Sequence, residues 1–219
     1  SIPNSKSNIQ NWGEYWNEYV PKALLPRLHA FELMMAPYAI AHMKVGLKLA
    51  ETGYRFGSNE RARIYLTNAL EPWVKQLPLI GFDALAHEAA AVNEIKRHKR
   101  FTVVIGNPPY SNFGQLNKNS FILGLLEDYK RGLDEKKLNL DDDYIKFARL
   151  AHWLVGVTRV GIVGMITNNS FLDGLSHRRM REALRETFGK LSALDLGGSV
   201  MRGEVSEGDE NVFDIQQGV

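Results

Sequence analysis

The sequence predicts an α/β fold built on a doubly wound, mostly parallel sheet. Short apolar runs rich in β-branched residues, such as 101–105 and 160–166, are typical of buried parallel strands. These runs alternate with longer segments of helical periodicity, which is the order that βαβ units require. The length agrees with this, because 219 residues are enough for one domain with a substantial core.

The predicted elements alternate along the chain. Helices are predicted over residues 11–19, 39–49, 84–98, 121–132, 144–157 and 176–188. Strands are predicted over residues 27–33, 63–66, 101–105, 160–166 and 191–196, and a further strand begins at 213. We also expect a charged surface loop over 133–142 and a mobile loop, rich in glycine and charge, over 197–210.

Local signals place several of these elements. The first helix carries Trp12 and Trp16 one turn apart, and we expect it to pack both indoles. Pro37 favours the first position of the second helix, and Thr52-Gly53 ends that helix. The helix over 144–157 is predicted from strong periodicity alone.

The tetrapeptide Asn107-Pro108-Pro109-Tyr110 follows the third strand. Two consecutive prolines cannot continue a sheet ladder, so the strand must end there. The Asn107 side chain and the Pro108 carbonyl then lie at the carboxyl end of the strand, where open α/β sheets bind ligands. Two adjacent acceptor oxygens suit an exocyclic amino group, and Tyr110 can lie against a planar ring. The motif therefore predicts a site that holds an amino group on a flat heterocycle.

Composition limits the remaining possibilities. The chain has no cysteine, no apolar run long enough for a membrane span, and a polar N-terminus unlike a signal peptide. We therefore expect a cytoplasmic protein with no membrane partner. A net charge of +2 excludes a chain that binds DNA through its overall charge.

Two basic clusters are candidate phosphate contacts, although each could equally be a solvated helix face. The cluster 96–100 precedes the third strand, so we expect it at the amino end, away from a site. The second cluster contains Arg178, Arg179 and Arg181 and follows the carboxyl end of the strand 160–166. The second cluster is therefore the better candidate for a nucleic-acid backbone contact.

The tetrapeptide resembles the catalytic motif of amino-methyltransferases that use S-adenosylmethionine, which reads (Asn/Asp/Ser)-Pro-Pro-(Tyr/Phe/Trp). The resemblance implies a Rossmann-like methyltransferase fold. It also implies that residues 107–110 are catalytic, with Asn107 and the Pro108 carbonyl accepting hydrogen bonds from adenine N6. Tyr110 would stack on an adenine flipped out of double-stranded DNA.

Longer stretches resemble large bacterial restriction–modification polypeptides, namely the type ISP enzymes and their type IIG relatives. The stretches are 24–42, 107–110, 166–172 and 210–215, in the order found in that family. The resemblance implies the N6-adenine DNA methyltransferase region of such an enzyme. By position, Phe213 matches the family's second aromatic residue, which would sandwich the flipped base opposite Tyr110.

The same resemblance implies the cofactor contacts. Glu32 ends the first strand, where a carboxylate can accept both ribose hydroxyls of S-adenosylmethionine. Asn68 and Ala69 follow the second strand, where the family usually has an aspartate that holds the cofactor's adenine amino group. The Asn68 amide oxygen could accept that bond, although a simple turn role fits equally well. Asn107 would also border the cofactor.

One departure from the family concerns the glycine-rich turn after its first strand, of the type Asp-Pro-x-x-Gly-x-Gly. This chain contains no Gly-x-Gly. We expect residues 1–219 to be a single, partial methyltransferase domain that lacks its first strand and belongs to a larger restriction–modification polypeptide. Isolated, such a fragment should bind the cofactor weakly and have little or no activity.

Alternatives remain open at this point. The tetrapeptide also occurs in methyltransferases that act on protein glutamine or ribosomal-RNA guanine. A nucleic-acid-binding or assembly module could keep the fold without chemistry, whereas a dinucleotide-dependent oxidoreductase lacks its glycine fingerprint. No metal is expected, because the histidines lack ligand spacing and we expect the carboxylates of 141–143 to be solvated.

Overall fold

A computed structural model describes residues 12–57, 60–73, 83–109, 117–134 and 139–195. Within these ranges the α-helices are α1 (Trp12–Tyr19), α2 (Met35–Glu51), α3 (Asp83–His98), α4 (Ser120–Lys130), α5 (Asp143–Thr158), α6 (Ser170–Asp173) and α7 (Arg178–Thr187). The strands are β1 (Ala30–Glu32), β2 (Ile64–Leu66), β3 (Val103–Gly106) and β4 (Ile162–Met165). Short π- and 3₁₀-helical turns occupy Val20–Leu24, Asn139–Asp141 and Leu175–His177. The predicted mixture of helices and strands is confirmed.

The chain forms two compact units. The first comprises Ser1–Ala69 and Trp73–Arg97, and the second comprises Leu70–Pro72 and His98–Val219. In the described residues each unit holds one small parallel sheet, which pairs β1 with β2 in the first unit and β3 with β4 in the second. The parallel pairing agrees with the sequence prediction.

The first unit has a small core beneath α1 and α2. Its buried residues are Val20, Leu25, Leu49 and Tyr54. Trp16 packs against this core and donates from its indole nitrogen to Thr52 Oγ1 at 3.0 Å. Trp12 stacks on Trp16 but stays 59% exposed, so the expectation that both indoles are packed is wrong. Trp12 and Trp16 lie on the same face of α1, but only Trp16 reaches the core of the first unit.

The boundaries of α2 follow local chemistry. The helix begins at Met35, two residues before Pro37, so the proline lies inside the first turn, where its missing N–H costs nothing. The helix ends at Glu51, Thr52 is its C-cap, and Gly53 adopts a φ of 87°. This left-handed conformation favours glycine and explains the predicted stop.

The core of the second unit lies between α4, α5 and α7. Its buried residues are Leu126, Tyr129, Leu140, Tyr144, Ile145, Met180 and Ala183. Leu140 is fully buried within the turn Asn139–Asp141, so the described part of 133–142 is not simply a charged surface loop. Burial of the single apolar side chain of Leu140 in this core anchors an otherwise charged segment.

The sheet of the second unit is covered on one side by α5, which packs against β3 and β4. Val103, Ile105 and Ile162 are 57%, 80% and 67% exposed, so the prediction of fully buried strands is wrong here. A β-branched run predicts a strand, but its burial depends on what covers each face. Residues 191–195 form no strand, although one was predicted over 191–196. The loop predicted over 197–210 and the strand predicted from 213 lie outside the described residues.

Candidate active site

The Asn-Pro-Pro motif lies at the carboxyl end of β3. The last strand pair joins Gly106 to Met165, and Ile166 donates its backbone N–H to the Gly106 carbonyl at 3.0 Å. The ladder therefore ends at Gly106, directly before Asn107, as the two following prolines require. Pro108 is buried and Asn107 is exposed. The buried proline thus fixes the turn, and the residue before it stays exposed at the end of the strand.

A polar cluster follows the carboxyl end of β4, next to this motif. Asn168 is buried, and its Oδ1 accepts from the Ser170 backbone N–H at 2.7 Å and from the Ser170 hydroxyl. The Tyr144 hydroxyl lies 3.4 Å from both Ser170 Oγ and His177 Nε2. Burial raises the pKa of Tyr144 and lowers that of His177. Sequence reasoning assigned no role to this cluster, although the stretch 166–172 drew attention to the segment.

The chain beyond the motif is anchored at residues 117–119. Asn117 donates to Asp143 Oδ2 at 3.1 Å, and Asn119 caps α4 by accepting from the Ile122 N–H at 3.1 Å. Asp143 also pairs with Lys146 Nζ at 3.0 Å. The side chains of Asp143 and Lys146 are 2% and 0% exposed, so the expectation that the carboxylates of 141–143 are solvated is wrong for Asp143.

The described residues contain no group of three or more His, Cys, Asp or Glu side chains that could hold a metal ion. In the same ranges, no helix is both long and apolar enough to cross a membrane.

Glu32, Asn68 and Ala69 lie in the first unit, at the carboxyl ends of β1 and β2. Glu32 pairs with Leu66, and the Thr67 N–H donates to the Glu32 carbonyl at 2.7 Å. The Glu32 carboxylate accepts from the Met34 N–H at 2.9 Å, which orients it on the turn after β1. The structure thus brings these predicted cofactor residues to one edge of a parallel sheet, where ligands of such sheets bind.

The position of Lys96 differs from the one that its sequence predicts. The basic cluster 96–100 was expected away from a site, yet Lys96 Nζ donates to the Asn68 carbonyl at 2.6 Å and to Thr67 Oγ1 at 3.2 Å. Its ammonium group also lies 5.7 Å from the centre of the Phe31 ring. The sequence position before β3 gave no signal for this contact, because it depends on the direction in which α3 runs.

The three candidate phosphate contacts on α7 already bind groups within the protein. Arg181 donates to the carbonyls of Phe171 and Gly174 at 2.9 and 2.8 Å, and Arg179 pairs with Glu182 at 2.7 Å. Arg178 donates to the Leu175 carbonyl at 3.3 Å, a longer bond. Arg181 therefore stabilises the turn before α7. The two residues predicted to stack on the target base, Tyr110 and Phe213, lie outside the described residues.

Two solved structures that are similar to this chain contain DNA, and the chain matches only part of each protein. The structure titled "cryoEM structure DrdV-DNA complex" matches with a TM-score of 0.64 and 26% identity, over 86% of this chain and 19% of that one. An ATP-dependent Type ISP restriction-modification enzyme, LlaBIII bound to DNA, matches in fold with a TM-score of 0.71 and 24% identity. That match covers 94% of this chain and 15% of the LlaBIII chain, so this chain spans less than a fifth of either relative.

No curated protein matches the chain significantly. The family model for the Eco57I restriction-modification methylase matches residues 30–199. These residues include β1 to β4, the Asn-Pro-Pro motif and α7. The match covers most of the 219 residues, and the chain therefore belongs to the Eco57I restriction-modification methylase family, as the resemblance in its sequence implied.

Proposed function

We propose that this chain transfers a methyl group from S-adenosylmethionine to N6 of adenine in DNA, as the modification part of a larger restriction–modification polypeptide. The observation that supports this most is the accessible Asn107 side chain, held by a buried Pro108 at the carboxyl end of β3. In a member of a methylase family, that position suits an acceptor for a reacting amino group. Both similar structures are complexes with DNA, which supports DNA as the partner.

Asn107 Oδ1 and the Pro108 carbonyl would accept hydrogen bonds from N6. These bonds orient the nitrogen lone pair toward the methyl group and strengthen as positive charge develops on the nitrogen. The nitrogen–methyl bond forms as the carbon–sulfur bond breaks, and N6 then releases a proton. The adenine base must swing out of the DNA duplex for its N6 to reach such a pocket. We therefore propose that Tyr110 and Phe213 stack on the two faces of the flipped base. Arg178, Arg179 and Arg181 are proposed contacts to the DNA backbone.

The edge formed by β1 and β2 fits the proposed cofactor. A carboxylate at Glu32 can accept two ribose hydroxyls, and an amide at Asn68 can accept from an adenine amino group. Ala69 adds no bulk beside that contact, and Asn107 would border the methyl end. S-adenosylmethionine supplies an activated methyl group when bound. We further propose that residues 1–219 form part of one doubly wound methyltransferase domain.

Methyl transfer to DNA tests this proposal. We would measure transfer of tritiated methyl groups from S-adenosylmethionine to mixed-sequence DNA, using this chain and a version extended at its N-terminus through a glycine-rich turn. Asn107→Ala should lower transfer by about 100-fold or more, because it removes a bond to the reacting nitrogen, while DNA binding is retained. Asn17→Ala, which removes exposed bonds to the Gly13 and Gly53 carbonyls, is the control and should leave transfer unchanged.

Other outcomes point elsewhere. Transfer to RNA or protein in place of DNA would keep the chemistry and replace the substrate. Silence in both versions with DNA binding retained would favour a binding module. Full activity in Asn107→Ala would contradict the assignment of the motif.

A further inference from the structure

Lys96 reaches the proposed cofactor edge because α3 runs in the same direction as β2. At one end, the Arg61 guanidinium donates to the Ile64 carbonyl at 2.9 Å and pairs with Glu88 at 2.9 Å. At the other end, Lys96 donates to the Asn68 carbonyl. The eight-residue step from Glu88 to Lys96 along the helix spans about 12 Å. The four-residue step from Ile64 to Asn68, along β2 and the two residues after it, spans about 13 Å in extended backbone. The two lengths match, so the helix delivers Lys96 to the carboxyl end of the strand.

The Lys96 ammonium group contacts residues at the carboxyl ends of both β1 and β2. Of its three N–H donors, Lys96 directs one to the Asn68 carbonyl at 2.6 Å and one to Thr67 Oγ1 at 3.2 Å. The same charge faces the Phe31 ring at 5.7 Å, within cation–π distance. Phe31 directly precedes Glu32, so the contacts of Lys96 include a neighbour of one proposed cofactor residue and the backbone of the other.

These contacts suit a role in holding the site in its binding geometry. Bonds from a charged donor are short and about twice as strong as neutral ones, so the backbone at Asn68 is held firmly. A side chain can only accept a bond from a ligand without entropic loss if its own backbone is already fixed. Lys96 is half-buried, and its contacts include the Asn68 carbonyl, Thr67 Oγ1 and the Phe31 ring, so it can act as a fixed support.

We propose that Lys96 is a positioning residue for the adenosine end of S-adenosylmethionine, acting through Asn68 and the Phe31-Glu32 strand end. This inference rests on the proposed function, because it assumes that Glu32 and Asn68 contact the ribose and adenine. Lys96 itself touches neither the methyl group nor the target base in this scheme. Its loss should therefore weaken cofactor binding and leave the methyl-transfer step at saturating cofactor nearly unchanged.

Cofactor-binding measurements on the N-terminally extended chain test this role. Titration calorimetry with S-adenosylhomocysteine and with 5′-methylthioadenosine, which keeps only the adenosine end, should show both ligands weakened about tenfold by Lys96→Met. Lys96→Arg keeps a charged donor and should recover much of this loss. The control Lys44→Met alters an exposed lysine on α2 and should change both Kd values less than twofold.

A double-mutant cycle separates positioning from general destabilisation. If Lys96 acts through Asn68, then Lys96→Met should cost much less in an Asn68→Ala background than in the wild type. The KM for S-adenosylmethionine should rise with kcat changed less than twofold. Unchanged Kd values in Lys96→Met would overturn the inference and leave the proposed function standing. So would weakening of S-adenosylhomocysteine alone, or fully additive losses. Absence of cofactor binding by the wild-type chain would overturn the proposed function, and this inference with it.

Discussion

At the scale of single residues, the Asp143–Lys146 pair is a buried ion pair that also holds a neighbouring segment in place. Both side chains are almost completely buried, and Asp143 also accepts from Asn117, ten residues after Asn107. A buried charge needs its partner because the interior cannot solvate it. The pair thus stabilises the start of α5 and the chain that leaves the Asn-Pro-Pro motif.

Lys146→Met should lower the free energy of unfolding by about 3–5 kcal/mol, because it leaves the Asp143 carboxylate buried without its cation. Urea unfolding followed by circular dichroism measures this. Lys22→Met is the matched control, since Lys22 and Glu18 are 72% and 66% exposed, and it should cost less than about 1 kcal/mol. A double variant with Asp143→Asn should recover part of the loss. A Lys146→Met cost equal to that of the control would contradict the assignment.

A second residue-scale prediction concerns pH. His152 lies between the Tyr129 hydroxyl at 3.0 Å and Thr187 Oγ1 at 2.7 Å. Burial, helped by the nearby Arg149 charge, lowers the pKa of His152 to about 4. Between pH 6.5 and about 4, His152 is protonated in the unfolded chain but neutral in the folded protein. The free energy of unfolding therefore falls as the pH falls through this range.

Urea unfolding at several pH values across that window should show this loss, and His152→Gln should reduce the slope. The pKa of His177 is lowered in the same direction, so it will leave part of the slope in place. An identical pH dependence in wild type and His152→Gln would show that His152 does not carry the effect.

At the scale of elements, helices were predicted more closely than strands. The periodic segment 144–157 became α5, Asp143–Thr158, because helical hydrogen bonds are local and one periodic face is enough to specify them. The run 27–33 became only Ala30–Glu32, because strand residues are defined by a partner, and β2 supplies partners for just these three. The run 191–195 pairs with no strand in the described part of the chain.

Gly161 directly precedes the first residue pair of the β3–β4 ladder, and a larger residue there would force its neighbours to move. A Cβ at Gly161 would lie 2.5 Å from the Thr102 carbonyl oxygen, which accepts the ladder's first bond from the Ile162 N–H at 2.8 Å. Gly161→Ala should therefore cost about 1–3 kcal/mol of unfolding free energy, measured by urea unfolding.

Gly124→Ala is the control for that substitution. A Cβ at Gly124 meets nothing within 4 Å in the middle of α4, so alanine should stabilise the helix by about 0.5–1 kcal/mol. If both alanine variants were equally stable, the close approach at Gly161 would have no energetic consequence.

At the scale of the whole molecule, the sequence motifs alone were enough to indicate the family. The stretch around Glu32 and the tetrapeptide at 107–110 implied a restriction–modification methylase, and the family match over residues 30–199 confirmed it. The site could be anticipated in part for the same reason, since Pro-Pro ends a strand wherever it occurs. Glu32 and Asn68 were expected at strand ends, and the parallel pairing of β1 with β2 brings them to one edge.

By itself, the sequence determined the longer helices, the end of β3 before Asn107, and the family, because these depend on local periodicity, on proline geometry and on motifs. The short helix α6 was not predicted. Only the tertiary structure decided that Lys96 reaches the Asn68 carbonyl, that Asp143 is buried with Lys146, and that Ile105 stays exposed. The physical reason is that burial and long-range contacts depend on which elements pack together and in which direction. A residue's neighbours in sequence carry no such information.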